Sequence, residues 1–117
     1  MSRIERVNES VKREMSIIVQ RELSDPRLAF VSISRVDVSR DLRHAKIFFS
    51  VLGDETKAEY AQEGFDAAKG FIKRILSQRI ELKFMPDLTF IYDKSFSSGI
   101  DLSAQIERLK DESPTSL

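Results

Sequence analysis

The sequence contains no cysteine and no tryptophan, and it has only four glycines, three prolines and one histidine. The absence of cysteine excludes disulfides and thiolate metal sites. The four glycines form neither a phosphate-binding loop nor a dinucleotide fingerprint. No apolar run approaches the ~20 residues that a membrane span needs, and the first residues carry no apolar signal core. We therefore expect a cytoplasmic protein without a metal or other cofactor and without a membrane partner.

Catalytic chemistry also lacks its usual residues. An enzyme needs a nucleophile, a base or metal ligands in a common pocket. The single histidine, His44, lies among strand-forming residues and is expected at a strand edge or on the surface. The adjacent acids Asp54-Glu55 and Asp111-Glu112 stand at the ends of predicted elements, where solvated caps are common. The sequence predicts a binding protein with no catalytic residues.

The length of 117 residues suits one domain with one core. With 41% hydrophobic and 32% charged residues, the chain has the composition of an ordinary globular protein. We expect a single domain over residues 1–110, followed by a flexible polar tail over 111–117. A monomer is expected.

The first half of the chain predicts a helix and a hairpin. A helix over residues 3–23 is indicated by apolar residues at helical spacing, namely Ile4, Val7, Val11, Met15 and Ile18. Residues 30–38 and 44–52 predict two strands, and the short connection between them makes the pair antiparallel. The alternation of the first strand changes phase, which predicts a bulge near Ser34-Arg35.

The second half predicts helix, helix and strand. A helix starts near Asp54 and carries Tyr60 and Phe65 inward. A further helix covers residues 71–81, and its apolar arc is formed by Phe71, Ile72, Ile75 and Leu76. Gly70 lies between them, and it costs roughly 1 kcal/mol relative to Ala inside a helix. The Ala68-Lys69-Gly70 segment therefore predicts a kinked pair of helices; the alternative is one helix that tolerates Gly70. A third strand over residues 88–92 and a final helix over 97–110 complete the chain.

Charge is distributed unevenly although the formal net charge is zero. Residues 54–66 carry five anions and one cation, whereas residues 69–83 carry five cations and one anion. On the first helix, Arg3, Arg6 and Arg13 project to one flank. One interpretation is a solvated face with spaced ion pairs. The other is a basic surface that binds phosphates.

Five motifs along the chain carry a resemblance to a known family. They are RVN at 6–8, ELSDPR at 22–27, VDVSRDLRHAK at 36–46, AAKGFIK at 67–73 and MPDLTF at 85–90. In this order and spacing they make the chain resemble the ribosome-binding factor A family over nearly its whole length. The resemblance implies an α+β fold, a single type II KH-like domain with order α-β-β-α-kink-α-β. Its three-stranded sheet has helices packed on one face.

The resemblance also implies a function. In this family an Ala-x-Gly kink, here Ala68 and Gly70, replaces the Gly-x-x-Gly loop with which KH domains clamp single-stranded RNA. The family binds the free, immature 30S subunit in its neck region. It assists folding and processing of the 5′ end of 16S rRNA and matters for growth in the cold. The tail is short and not strongly basic here, so it is not expected to contribute to binding.

We expect rRNA phosphates to be contacted by nine basic residues, which are Arg3, Arg6, Arg13, Arg40, Arg43, Lys46, Lys69, Lys73 and Arg74. Arg79 and Lys83 are weaker candidates, because Arg79 falls on the apolar arc of its helix. Two alternatives stay open. In the first, the chain is a module that docks on a ribosomal protein or an assembly GTPase through its acidic helix, which covers residues 54–66. In the second, it is a KH-like binder of single-stranded RNA.

Overall fold

A computed structural model of the chain describes residues 1–94, 109–110 and 113–114. Helix α1 (Arg3–Ile17) is followed by a π-helical turn (Ile18–Glu22) and a 3₁₀ turn (Pro26–Leu28). Strands β1 (Val31–Val38) and β2 (His44–Val51), helix α2 (Glu55–Arg79) and strand β3 (Asp87–Tyr92) complete the main body. Two short strands, β4 (Leu109–Lys110) and β5 (Ser113–Pro114), pair only with each other.

Helix α1 begins with a capping box. The Ser2 hydroxyl accepts the Glu5 backbone N–H at 3.1 Å, and the Glu5 carboxylate accepts the Ser2 N–H at 2.8 Å. The predicted apolar stripe is buried from Val7 onward. At the end of the helix the Leu23 N–H donates to the carbonyl of Ile18, five residues back. This wider turn leaves the neighbouring side chains of Ile18 and Val19 both in the core.

The sheet has the order β1-β2-β3, with β1 antiparallel and β3 parallel to the central β2. The register shifts between Ile33 and Arg35, so Ser34 is the extra residue and the predicted bulge is confirmed. The Ser34 hydroxyl lies 3.2 Å from the carbonyl of Phe48 and 3.0 Å from the carboxylate of Asp93. The bulge restores the phase, so apolar residues before and after it face the core.

Both helices cover one face of the sheet, as predicted. The covered face is apolar in every strand, with Ala45, Ile47, Phe49 and Val51 buried on β2. The opposite face carries the alternate residues, such as Asp37, which are exposed or half-buried. The α+β class is thus confirmed, while the type II KH assignment stays a prediction.

Helix α2 is continuous over 25 residues, so the prediction of two helices separated at Ala68-Lys69-Gly70 is wrong. Gly70 has helical backbone geometry, and no atom lies within 4 Å of the position that a Cβ would occupy. Buried Phe65 and Ile72 anchor the helix on both sides of Gly70, and this packing outweighs the propensity cost of one glycine. A change of axis direction within the continuous helix stays a prediction.

Two aromatic residues of α2 are placed differently from the prediction. Tyr60 was expected to point inward but is 53% exposed, because Ala58, Ala61 and Gly64 form the core-facing surface of this part of the helix. Phe71, expected on the apolar arc, is 37% exposed. The small residue Gly64, near Tyr60, lets α2 lie close to Leu28 of the 3₁₀ turn.

The predicted C-terminal helix over 97–110 lies largely outside the described residues, and its last two positions form β4. The division into a domain over 1–110 and a tail over 111–117 stays a prediction.

The two glycines of α2 provide a matched test of helix continuity. Gly70→Ala should raise the free energy of unfolding by about 0.5–1 kcal/mol in urea titrations, because it removes backbone entropy from the unfolded chain without a clash. Gly64→Ala should lower it by about 1 kcal/mol, since its Cβ would lie 3.1 Å from the buried side chain of Leu28. Destabilisation by Gly70→Ala would instead favour the kink.

Candidate nucleic-acid interface

A cleft of about 290 Å³ separates α1 from the chain that leaves α2. Arg3, Arg6 and Arg13 line one wall, because residues three, seven and ten positions apart share a helix face. Arg79 and the following residues through Leu82 form the other wall. The cleft is open to solvent and has basic groups on both sides.

A second cleft of about 270 Å³ continues beyond Arg3. It lies between the β1–β2 hairpin and the segment before β3, and its other lining residues are Asp41, Leu42, Arg43, Leu82, Lys83 and Phe84. Since Arg3 and Leu82 line both clefts, the two adjoin. We call the combined surface the basic groove; its cations are Arg3, Arg6, Arg13, Arg43, Arg79 and Lys83.

The hairpin turn holds Arg43 in place. The Asp41 carboxylate accepts the Ser39 hydroxyl at 2.7 Å and the Arg43 backbone N–H at 3.0 Å. Leu42 has a left-handed backbone with φ of 62°, which is uncommon for a leucine. The Arg43 carbonyl accepts the N–H of Asp87 at 2.8 Å, so the hairpin is also tied to the start of β3.

Two arginines of the groove have carboxylate partners. Arg79 contacts Glu22 at 2.5 Å and Glu14 at 3.5 Å, and Glu22 contributes most to raising the pKa of the Arg79 guanidinium. Arg13 lies 3.9 Å from Glu14. The expected apolar setting of Arg79 is therefore replaced by an ion-pair cluster that joins α1 to α2.

The remaining four cations of the groove have no carboxylate partner in the main body of the chain, residues 1–94. Within residues 1–94, no ion pair involves Arg3, Arg6, Arg43 or Lys83. The three arginines and Lys83 are all exposed. Exposed cations that no neighbouring carboxylate neutralises favour the approach of an external anion.

The other predicted contacts spread away from the groove. Lys73 pairs with Asp87 at 3.7 Å, at the same end of the sheet as Arg43. Arg74 lies on α2 over the Phe71 ring, and Lys69 is half-buried on the same helix. Lys46 is on the open sheet face opposite Asp37.

Two further residues that the sequence singled out lie at the β1–β2 hairpin. Arg40 is exposed in the hairpin turn, and His44 is exposed as predicted. The sequence thus identified most cations of the groove, but it undervalued Lys83 and missed Phe84. The signal for both was their place between the predicted helix over 71–81 and the predicted strand over 88–92. Pro86 disfavours helix at Met85 there, and such connecting loops often carry binding residues.

The opposite end of α2 is acidic. Asp54 caps this end, its carboxylate accepting the N–H groups of Thr56 and Lys57, and Glu55, Glu59 and Glu63 are exposed. A helix of 25 residues is about 36 Å long. The acidic residues and Arg79, which lines the basic groove, therefore lie at opposite ends of one continuous helix.

The described part of the chain holds neither a metal-ligand cluster nor a helix that could span a membrane. Residues 1–94 hold no group of three or more side chains suited to a metal ion. The helices in this part of the chain are too short or too polar to cross a bilayer.

The Asp41 turn gives a pH-dependent test. The Ser39 hydroxyl and the Arg43 N–H hold the pKa of Asp41 below its ordinary value of 3.8. Its contribution to stability is therefore present above the ordinary pKa and is lost as pH falls through the lower folded-state value. Ser39→Ala should raise the Asp41 pKa in an NMR titration, whereas Ser77→Ala, a remote exposed control, should leave it unchanged. An unchanged pKa in Ser39→Ala would contradict the hydrogen bond.

Comparison with known proteins gives consistent matches. The family model described as ribosome-binding factor A matches residues 3–106. A ribosome-binding factor A of Halothermothrix orenii is 39% identical over 110 residues, covering 94% of this chain and 90% of the relative. Another, from Acetivibrio thermocellus, is 42% identical over 123 aligned positions, covering 98% and 100%.

A solved structure has the same fold. The crystal structure of ribosome-binding factor A from Thermus thermophilus superposes with a TM-score of 0.70 at 22% identity, covering 78% of this chain and 97% of that one. The residues matched by the family model include α1, the three strands of the main sheet and α2. The chain belongs to the ribosome-binding factor A family.

Proposed function

We propose that this protein is a ribosome assembly factor that binds the free, immature 30S subunit through the basic groove. The observation that carries the proposal is the alignment of Arg3, Arg6, Arg43 and Lys83 along two adjoining clefts without ion-pair partners in residues 1–94. Phosphates of 16S rRNA are the anions that such a surface fits. Phosphate contacts position the protein by RNA shape and do not read sequence.

The family supports this choice of partner. The relatives are named for ribosome binding. The protein acts in the cytoplasm, where its subunit partner is assembled.

The action on rRNA requires binding alone. A protein that binds one conformation of the RNA more tightly shifts the folding equilibrium toward that conformation by its difference in affinity. Applied to the 5′ end of 16S rRNA, this shift exposes the correct substrate to processing nucleases. Incorrect RNA pairings persist longer in the cold, so the factor matters most at low temperature. No catalytic residue is needed.

A second candidate function uses the acidic end. Phe30 and Tyr60 are 60% and 53% exposed, and Lys57, on the first turns of α2, lies 5.6 Å from the Phe30 ring. Exposed aromatic groups beside Glu59 and Glu63 suit a basic protein surface. A ribosomal protein or an assembly GTPase would dock there, and it would do so while the basic groove holds RNA.

The interpretation as a KH-like binder of single-stranded RNA has less support. No Gly-x-x-Gly loop occurs in the sequence, so the usual backbone clamp is absent. Tight binding to short unstructured oligonucleotides, at the affinity measured for subunits, would favour that interpretation over the assembly factor.

Salt dependence tests the groove. If about five phosphates are neutralised, log affinity for free small subunits should fall with log salt at a slope of roughly −3 to −4. Arg3→Gln with Arg43→Gln should weaken binding at least about tenfold and reduce the slope by about 1.4, because two contacts are lost. Sedimentation of the protein with purified subunits at several salt concentrations measures both values.

The matched control is Lys12→Gln with Arg35→Gln, which removes the same charge at two exposed residues that lie outside the groove and are not among the nine predicted phosphate contacts. It should bind nearly as the wild type does. Equal loss in both pairs would show that overall charge governs binding. Loss only in Glu59→Gln with Glu63→Gln would favour the protein-docking function.

A further inference from the structure

Phe84 is an aromatic side chain left open to solvent in the basic groove. It is 71% exposed and lines the second cleft beside Lys83. The ammonium of Lys83 lies 5.6 Å from the ring centroid, and Arg3 and Arg43 line the same cleft. A ring beside one cation, in a cleft that two further cations line, suits a ligand that has both a flat apolar face and negative charge.

The ring is exposed but its backbone is held. Pro86, two residues later, is fully buried, and Leu82, two residues earlier, packs against the core. These anchors keep Phe84 at the rim of the cleft, as a fixed platform requires. An exposed aromatic residue on a freely moving loop would lose more entropy on binding a ligand.

We propose that Phe84 stacks on one unpaired base of the RNA that the basic groove holds. The inference rests on the proposed function and adds a contact to a base, whereas the groove otherwise contacts phosphates. Aromatic stacking on unpaired bases is a common mode of RNA recognition and tolerates any sequence. The cleft of about 270 Å³ is slightly smaller than the roughly 300–1,000 Å³ of typical ligand pockets, so its size suits a single base.

Asp41 also lines this cleft but does not oppose the proposal. Its carboxylate accepts the Ser39 hydroxyl and the Arg43 N–H, which offset part of its charge. The remaining negative charge disfavours a phosphate at that wall. The phosphates are then directed to Arg3 and Arg43, and the base is left for Phe84.

Within residues 1–94, the other exposed aromatic side chains lack this setting. Phe30 and Tyr60 lie near the acidic residues of α2, where a phosphate backbone is repelled. Phe71 lies on α2 outside both clefts and is only 37% exposed. Phe84 is therefore distinguished by its place in the groove, and Phe71 supplies a matched control.

The absence of tryptophan allows a direct test. Phe84→Trp introduces the single indole of the protein, and a base stacked on it quenches its fluorescence. Purified free small subunits, and separately their protein-free rRNA, should each quench Phe84→Trp. The control Phe71→Trp should keep its emission under both conditions.

The affinity of Phe84 variants for small subunits distinguishes a contribution from stacking from one that comes from charge. Phe84→Ala and Phe84→Leu should each bind subunits about tenfold more weakly, whereas Phe84→Tyr should bind as the wild type does. The salt slope should stay at the wild-type value in all three, because no charge is removed. The exposed position of Phe84 means that these variants should fold normally, which circular dichroism checks.

Three outcomes would overturn the proposal. Wild-type affinity of Phe84→Ala, combined with weak binding of Arg3→Gln with Arg43→Gln, would refute stacking and leave the proposed function standing. A blue shift with subunits and no response to protein-free rRNA would show that a ribosomal protein covers Phe84. Failure of the wild type to bind subunits at any salt would refute the proposed function, and stacking with it.

Discussion

The contact between Phe49 and Phe65 determines the placement of nearly everything else. Phe49 lies on the central strand, is fully buried and meets the Phe65 ring of α2 with centroids 4.9 Å apart. Phe65 stacks in turn on Phe90 of β3 at 4.5 Å. One buried ring thus joins the helix to two strands. Because α2 is one continuous helix, its packing at Phe65 together with buried Ile72 and Leu76 sets the direction of both its charged ends.

The groove follows from how the chain returns to the sheet. A strand parallel to its neighbour needs a crossover connection, and α2 supplies it between β2 and β3. The helix continues to Arg79, so residues 80–86 must run back to the start of β3. That return passes α1 and the hairpin. It carries Lys83 and Phe84 to the arginines of both elements, although the three segments are distant in the sequence.

Local patterns predicted the fold well and the site partly. The change of phase around Ser34 identified a bulge, because side chains alternate between the two faces of a strand. One extra residue is needed to keep the apolar residues on both sides of Ser34 on the same face of the sheet. The break predicted at Gly70 was wrong because it rested on helix propensity, which is a local property. The helix is held together there by the tertiary packing of Phe65 and Ile72, which the propensity does not include. The inward placement predicted for Tyr60 was wrong because the core-facing positions of this part of α2 are small residues, and Gly64 allows the helix to approach the 3₁₀ turn closely. Phe84 was missed since only the folded return segment brings it to the cations.

The separation of charge along α2 has a consequence for how the molecule meets a partner. Its ends are about 36 Å apart, several times the Debye length of about 8 Å at physiological ionic strength. Each end is thus screened from the other and responds to its own surroundings. Zero net charge gives no long-range attraction to bulk polyanions. Close to a dense phosphate surface, however, the attraction of the basic groove and the repulsion of the acidic end rotate the molecule so that the groove faces the phosphates. A molecule that approaches with its acidic end first is repelled before contact.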